Sequence, residues 1–154
     1  MRIRPIIDTD IPAVAALMRA LSNEFIVHDC THEAAATFVG ENDEQAIRAF
    51  VGAGMAYYVA EHGDAIAGFI AIRDHKHLFH MFVDKPYHRQ GIAKAMWVVA
   101  RQAALDAGNP GLFTVNASHY ALPAYEALGF VRAGPVQCKN GLSYNPMQLG
   151  GAPA

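Results

Sequence analysis

The 154-residue sequence predicts a mixed α+β fold, and three observations carry that reading. From Met55 to Val83 the chain reads as three successive short strands divided by turn residues. A strong helical pattern then runs from Gly91 to about Ala107, long enough to cross over the sheet and return a strand at Leu112–Val115. The chain closes with a second hairpin around Asn140-Gly141, a favoured two-residue turn.

The elements follow in order. Arg2 to Ile7 reads as a first strand. Asp8 or Asp10 caps a helix to about Leu21, with Ile11, Val14, Leu17, Met18 and Leu21 on one face. Ser22 to Thr31 is irregular. Two short helical stretches follow near Glu33–Val39 and Asp43–Val51, the second stopped by Gly52 and Gly54. Met55–Glu61 and Ala65–Arg73 form a hairpin about His62-Gly63-Asp64. Asp74-His75-Lys76 turns the chain into the strand Leu78–Val83. The long helix carries Ile92, Met96, Val99 and Ala103 at helical spacing, and Gly108-Asn109-Pro110-Gly111 ends it. A short helix spans Ala121–Leu128 and is closed by Gly129. Phe130–Cys138 and Leu142–Leu149 make the last hairpin. With no internal repeat, linker or low-complexity segment, residues 1–150 read as one domain and 151–154 as a tail.

Composition narrows the function classes. Apolar residues make up 53% and charged residues 17%, below the roughly 25% of an average protein. A well-buried core is expected, with an apolar face on which a homodimer could form. The formal charge of −2 gives no field that recruits nucleic acid or an acidic membrane. The opening lacks the apolar core of a signal peptide, and no apolar run approaches the ~20 residues of a membrane span. Cys30 and Cys138 are far apart and read as reduced thiols of a cytoplasmic protein.

The chemistry concentrates between His77 and Ala95. A strand, a short loop containing Gly91 and a helix make an anion site, because the first N–H groups of a helix have no internal partners and the dipole is positive there. Gly91 lets backbone approach a ligand, Ala93 keeps the helix start slim, and Lys85, Arg89 and Lys94 bring cations. The expected ligand carries a pyrophosphate or a similar anion. His75, His77, His80 and His88 suggest a metal, but strand alternation separates His77 from His80 and no second cluster completes a ligand set, so none is expected.

The loop His88-Arg89-Gln90-Gly91-Ile92-Ala93 resembles the acyl-CoA pyrophosphate loop of the GNAT acetyltransferase superfamily. That pattern is Gln or Arg, two residues, Gly, one residue, then Gly or Ala. Gly91 and Ala93 match, while His88 departs from the first position. Asn116 followed by Ala124-Tyr125-Glu126-Ala127-Leu128-Gly129-Phe130 is similar to the family's late motif, a helix with a Tyr just before Leu-Gly-Phe. Ile3-Arg4-Pro5 with Asp8 and Asp10 is similar to its opening. Order and spacing agree across nearly the whole chain.

The resemblance implies a three-layer α/β/α architecture. Its mixed, mostly antiparallel sheet would have a V-shaped split between two central parallel strands, here around Met81–Val83 and Leu112–Val115. It implies acetyl-CoA as co-substrate, with pantetheine in the split, and transfer of the acetyl group to a primary amine of a small molecule or peptide. The cofactor-binding positions it implies are Met81, Phe82, Val83, His88, Arg89, Gln90, Gly91, Ile92, Ala93, Lys94, Asn116 and Tyr125.

Acyl transfer to an amine needs a base, donors for the developing oxyanion and an acid for the leaving thiolate. The resemblance places the Tyr125 hydroxyl beside the sulfur as the acid; from composition alone Tyr125 would read as a packing aromatic. Alternation puts His77, Phe79, Met81 and Val83 on one strand face and His80 on the other. His77 matches the placement of the family's base and titrates near neutrality; otherwise it is a solvated residue at a strand entrance. His80 is expected to pack or bond beneath a helix. Backbone N–H groups of Phe82 or Val83 would hold the carbonyl, and the Asn116 side chain would bond pantetheine amides. Glu24 and His28 could face the acceptor. The alternative to an enzyme is a non-catalytic acyl-CoA-binding sensor or partner module on the same fold.

Overall fold

The computed structural model describes residues 1–25, 40–139 and 142–150, with backbone only at 24, 25 and 139. The chain begins with β1 (Arg2–Pro5), a single 3₁₀ turn (Asp8–Asp10), α1 (Ile11–Phe25) and α2 (Glu44–Gly52). A meander follows: β2 (Ala56–His62), β3 (Ala65–Arg73) and β4 (His77–Val83). The 3₁₀ turn Lys85–Tyr87 leads to α3 (Ile92–Asp106) and β5 (Phe113–Ala117). Next come α4 (Leu122–Ala127), β6 (Val131–Arg132), β7 (Gln137–Lys139) and β8 (Leu142–Leu149). The helix near Glu33–Val39, His28, the Asn140-Gly141 turn and the tail lie outside the described residues, as does the side chain of Glu24. Among the described residues no helix is long and apolar enough to cross a membrane, and no three His, Cys, Asp or Glu side chains converge as a metal site would require.

The sheet runs β1-β2-β3-β4-β5-β8-β6, with β7 also on β8, and every pairing is antiparallel except β4 with β5. Helices cover both faces, as the three-layer expectation requires. On one face α1 buries Ile11, Val14, Leu17, Met18 and Leu21 against Val59, Phe69 and Ala71, with Ile47 from α2. On the other, α3 buries Met96, Trp97, Ala100 and Ala104 against Ile70, Leu78, Phe113 and Val115. The α3 stripe is rotated from the expected one. Val99 faces outward, and Trp97 fills the core because its ring stands edge-on to Phe113 at 5.0 Å.

Two features of β4 set up everything that follows. First, it pairs with β5 only at His77↔Thr114 and Leu78↔Val115, after which the strands part. That contact is stapled at its closed end. Thr114 N–H donates to Lys76 O (3.0 Å), and the Asn109 amide donates to His75 O (2.6 Å) and Leu112 O (2.9 Å) while its Oδ1 accepts from Gly111 and Leu112. Second, the β3–β4 register slips. Ala71 opposes His80 and Ile72 opposes Leu78, so Phe79 is an extra residue, a β-bulge. The bulge overturns the expected alternation. Phe79 and Phe82 pack on the α1/α2 side, whereas Leu78, Met81 and Val83 pack on the α3 side. His80 joins the α1/α2 side, its ring 4.1 Å from that of Phe79. His77, the strand neighbour of α3-facing Leu78 and across from Arg73, points the other way and joins Phe79 and His80 on the α1/α2 side.

The last hairpin also departs from expectation. Phe130–Cys138 is not one strand: β6 pairs with Gln148 and Met147, β7 with Tyr144 to Leu142, and four residues, Ala133–Val136, span only two on β8. Gly134-Pro135 breaks the ladder there, since proline has no N–H to give. Farther in, Gly68 on β3 opposes Val83, and a Cβ built on it would lie 2.6 Å from Phe82 O. β4 therefore rests directly on bare backbone.

The first turn is held by charge. Arg4 on β1 makes a bidentate pair with Asp10 (2.7 and 2.9 Å) and also reaches Glu61 on β2. The second Asp10 role is to accept from Ile7 N–H (2.8 Å), which starts the helical segment. The Arg4 hydrogen bond holds the Asp10 carboxyl below its ordinary range, against the opposing effect of burial. A carboxyl depressed in the folded state adds stability above its unfolded pKa of about 3.9, and that contribution is lost as pH falls through the folded value. Asp10→Asn is expected to cost on the order of 3 kcal/mol at neutral pH in urea unfolding. The gap from wild type should narrow below about pH 4. A gap that stays constant into acid would show that the pair is not the source.

Candidate active site

A cleft of about 1310 Å³ fills the opening between β4 and β5 and runs past both ends of it. One site for a drug-sized ligand is usually roughly 300–1,000 Å³, so this cleft has room for a long ligand and a second one.

At one end lies the start of α3. Gly91 is its N-cap with φ 75°, a left-handed conformation that glycine adopts freely, and a Cβ there would meet nothing within 4 Å. The first helical bond, from Ala95 N–H to Gly91 O, leaves the N–H groups of Ile92, Ala93 and Lys94 directed outward as an anion cradle. Arg89 precedes it, also left-handed at φ 63°. Arg89 and Lys94 both line the cleft. His88 Nε2–H donates to Val83 O (2.6 Å), so its ring braces the loop against the end of β4. Gln90 is turned away: its amide donates to Pro86 O (3.2 Å), and it does not line the cleft. Of the expected cofactor-binding positions, Gln90 is the one whose residue does not line the cleft.

In the middle the walls are Met81, Phe82 and Val83 on β4, and Asn116 on β5 with Tyr125 from α4 opposite. The end of α4 explains why Tyr125 precedes Leu-Gly-Phe. Gly129 takes φ 101°, its N–H donates to Glu126 O (3.0 Å), and Phe130 N–H returns to Tyr125 O (3.1 Å). This is a Schellman end, which needs glycine at that position. It also sets the Tyr125 ring edge-on to Phe130 at 5.8 Å. Burial pushes the Tyr125 phenol above its ordinary value, so the hydroxyl keeps its proton at neutral pH and can donate it.

At the other end stands His77, with Nδ1 2.8 Å from Thr114 Oγ1. Burial lowers its pKa, and the Arg73 charge lowers it further. The ring is therefore neutral at neutral pH and has a lone pair to accept a proton. His80 is buried beside it, its Nε2–H donating to Asn42 Oδ1 (2.9 Å). Burial holds it at about 3, with the neighbouring His77 adding to the shift. His80 thus stays neutral and ties the segment before α2 to β4.

The cleft brings together Tyr125, His77, Met81, Phe82, Val83, His88, Arg89, Gly91, Ile92, Ala93, Lys94 and Asn116. Several lining residues escaped the sequence reading, notably Glu41, Asn42, Phe50, Arg73 and Tyr144. Arg73 alone had a legible signal, because a three-residue turn at 74–76 pairs it with His77 by counting.

The comparisons with known proteins agree with this geometry. Residues 26–150 match the family model described as the acetyltransferase (GNAT) domain. Human N-acetyltransferase 8 is 33% identical over 94 residues, a match spanning 53% of this chain and 40% of that protein's length. Among solved structures, a GCN5-related N-acetyltransferase from Rhodopseudomonas palustris superposes with a TM-score of 0.78 at 23% identity, covering 96% of this chain and 93% of that one. The PaiA N-acetyltransferase of Thermoplasma acidophilum, solved in complex with coenzyme A, gives a TM-score of 0.73 at 15% identity, covering 96% of each chain. With the split sheet, the glycine-led helix start and a family match over most of its length, the chain belongs to the GNAT acetyltransferase family.

Proposed function

We propose that the protein is an N-acetyltransferase that moves an acetyl group from acetyl-CoA to a primary amine. The observation that carries this reading is the continuity of one cleft: an anion-binding helix start, the parted strands with Tyr125, and a neutral His77 line the same space. The pyrophosphate would sit on the N–H groups opening α3, with Arg89 and Lys94 beside it. Pantetheine would lie between β4 and β5, its amides within reach of Asn116.

The residues divide the reaction among them. His77 takes a proton from the acceptor ammonium, leaving the amine lone pair free. That pair attacks the thioester carbonyl, whose oxygen is held by backbone N–H of Phe82 or Val83. The C–N bond forms, the C–S bond breaks, Tyr125 gives its proton to the departing sulfur, and the nitrogen sheds its surplus proton to solvent, from which the Tyr125 phenolate is reprotonated. The similarity to N-acetyltransferases, one of them solved in complex with coenzyme A, supports this reading.

Three results test it. Gly91→Glu places a side chain and a negative charge at the helix start, and calorimetry should show coenzyme A affinity falling steeply while the circular dichroism is kept; unchanged affinity removes the assignment of that end. Tyr125→Phe keeps the ring and loses the hydroxyl. Acid catalysis is worth roughly 10²–10⁴-fold, so kcat and kcat/KM for thiol release should fall together by about tenfold or more. A fully active Phe variant would make Tyr125 a packing residue and favour a binding module. Wild-type kcat/KM should show an acidic limb below about pH 6.5, the ordinary histidine value, because the His77 pKa is lowered. His77→Ala should abolish that limb, and its persistence would exclude His77 as the base.

A further inference from the structure

Arg73 is a cation that the reaction as described leaves without a task. Three cationic Arg or Lys side chains line the cleft among the described residues, and two of them, Arg89 and Lys94, belong to the helix start. Arg73 stands apart from both, at the end of β3, directly across the ladder from His77. Cross-strand partners share a face with their Cβ atoms about 5 Å apart, which places the guanidinium beside the imidazole. Its charge is felt there, since it contributes to the lowered pKa of His77. The guanidinium carbon lies 5.6 Å from the centroid of the Phe79 ring, so the bulged residue gives it a platform. None of the carboxylates of the described residues pairs with it. A cation placed next to a base is a poor neighbour for an acceptor ammonium unless the acceptor brings a negative charge of its own.

We infer that the acceptor is an apolar amino acid, with its carboxylate on the Arg73 fork and its amine at His77. The guanidinium presents paired N–H donors that match a carboxylate in plane. The amine–carboxylate spacing of an amino acid fits two recognition groups on directly opposed residues. Its side group meets Phe50 and Phe79, whose rings pack edge-to-face at 5.4 Å, and Leu21, all three lining this end of the cleft. Glu41 is the one carboxylate among the described lining residues, and it would attend the ammonium rather than the acid group. This inference rests on the acetyl-transfer reading and names its substrate class.

The test compares leucine and phenylalanine with their amides in a thiol-release assay, with coenzyme A affinity measured in parallel by calorimetry. The amide's amine is the less basic, so intrinsic reactivity runs against the expected result. Wild type should favour the acids by roughly tenfold or more in kcat/KM, the size of a charge-assisted hydrogen-bonded contact. Arg73→Gln should bring the acid-to-amide ratio close to one, whatever its absolute rate, with coenzyme A affinity retained. Equal use of acid and amide by wild type, turnover only of amines lacking a carboxylate, or a preference that survives in Arg73→Gln would each overturn the inference while leaving acetyl transfer standing. Coenzyme A binding without thiol release from any amine would count against the transfer reading, and this inference would fall with it.

Discussion

Parallel strands in a sheet normally stay together along their length, because each lost pair leaves N–H and C=O groups without partners. Here β4 and β5 keep two register pairs and then part. That separation is the constraint on which the rest depends. It leaves backbone polar groups along two strand edges, which an amide-bearing ligand can satisfy as a third strand would. It also requires a firm apex, and the four bonds made by the Asn109 side chain supply one by tying the β3–β4 turn to the approach of β5. The helix after β4 then has to begin at the open end, which is why its unpaired N–H groups face the same space.

The bulge at Phe79 does the second part of the organising. A regular strand puts His77 and His80, three residues apart, on opposite faces; the inserted residue brings both histidines to the α1/α2 side. Met81 and Val83 are thereby left to the α3 side, where the core is continuous with Tyr125. One irregularity therefore separates a face suited to proton transfer from a face suited to holding a long apolar arm. The two histidines differ in role through burial and partner. His80 is sealed and bonded to Asn42, whereas His77 stays at the cleft, held by Thr114.

Much of this was legible in the sequence, and the parts that were not share a cause. The α1 stripe, the meander and the crossover helix came from periodicity and turn residues, which are local signals. Gly91 and the Tyr-x-x-Leu-Gly-Phe run were legible because each encodes a backbone conformation, a left-handed N-cap and a Schellman end, that few residues allow. The bulge was not legible, since nothing in His-Leu-Phe-His-Met-Phe-Val breaks alternation; it is imposed by pairing with β3. The rotated α3 stripe has a similar origin, in the fit of Trp97 to Phe113 and Phe130. Asn42 and Glu41 reach the cleft through tertiary folding that no local pattern announces.

Gly68 gives the cleft a mechanical character. Where β4 leaves β5 it leans on β3 with no side chain between them, the carbonyl oxygen of Phe82 lying 2.6 Å from where a Cβ of Gly68 would be. Backbone pressed on backbone has no rotamers to adjust, so β4 has no soft direction of retreat. The cleft therefore behaves as a slot whose gauge is set by the chain itself, and thickness becomes a criterion of admission. Such a slot suits an arm as slender as an extended amide chain better than a branched or ringed one of the same polarity.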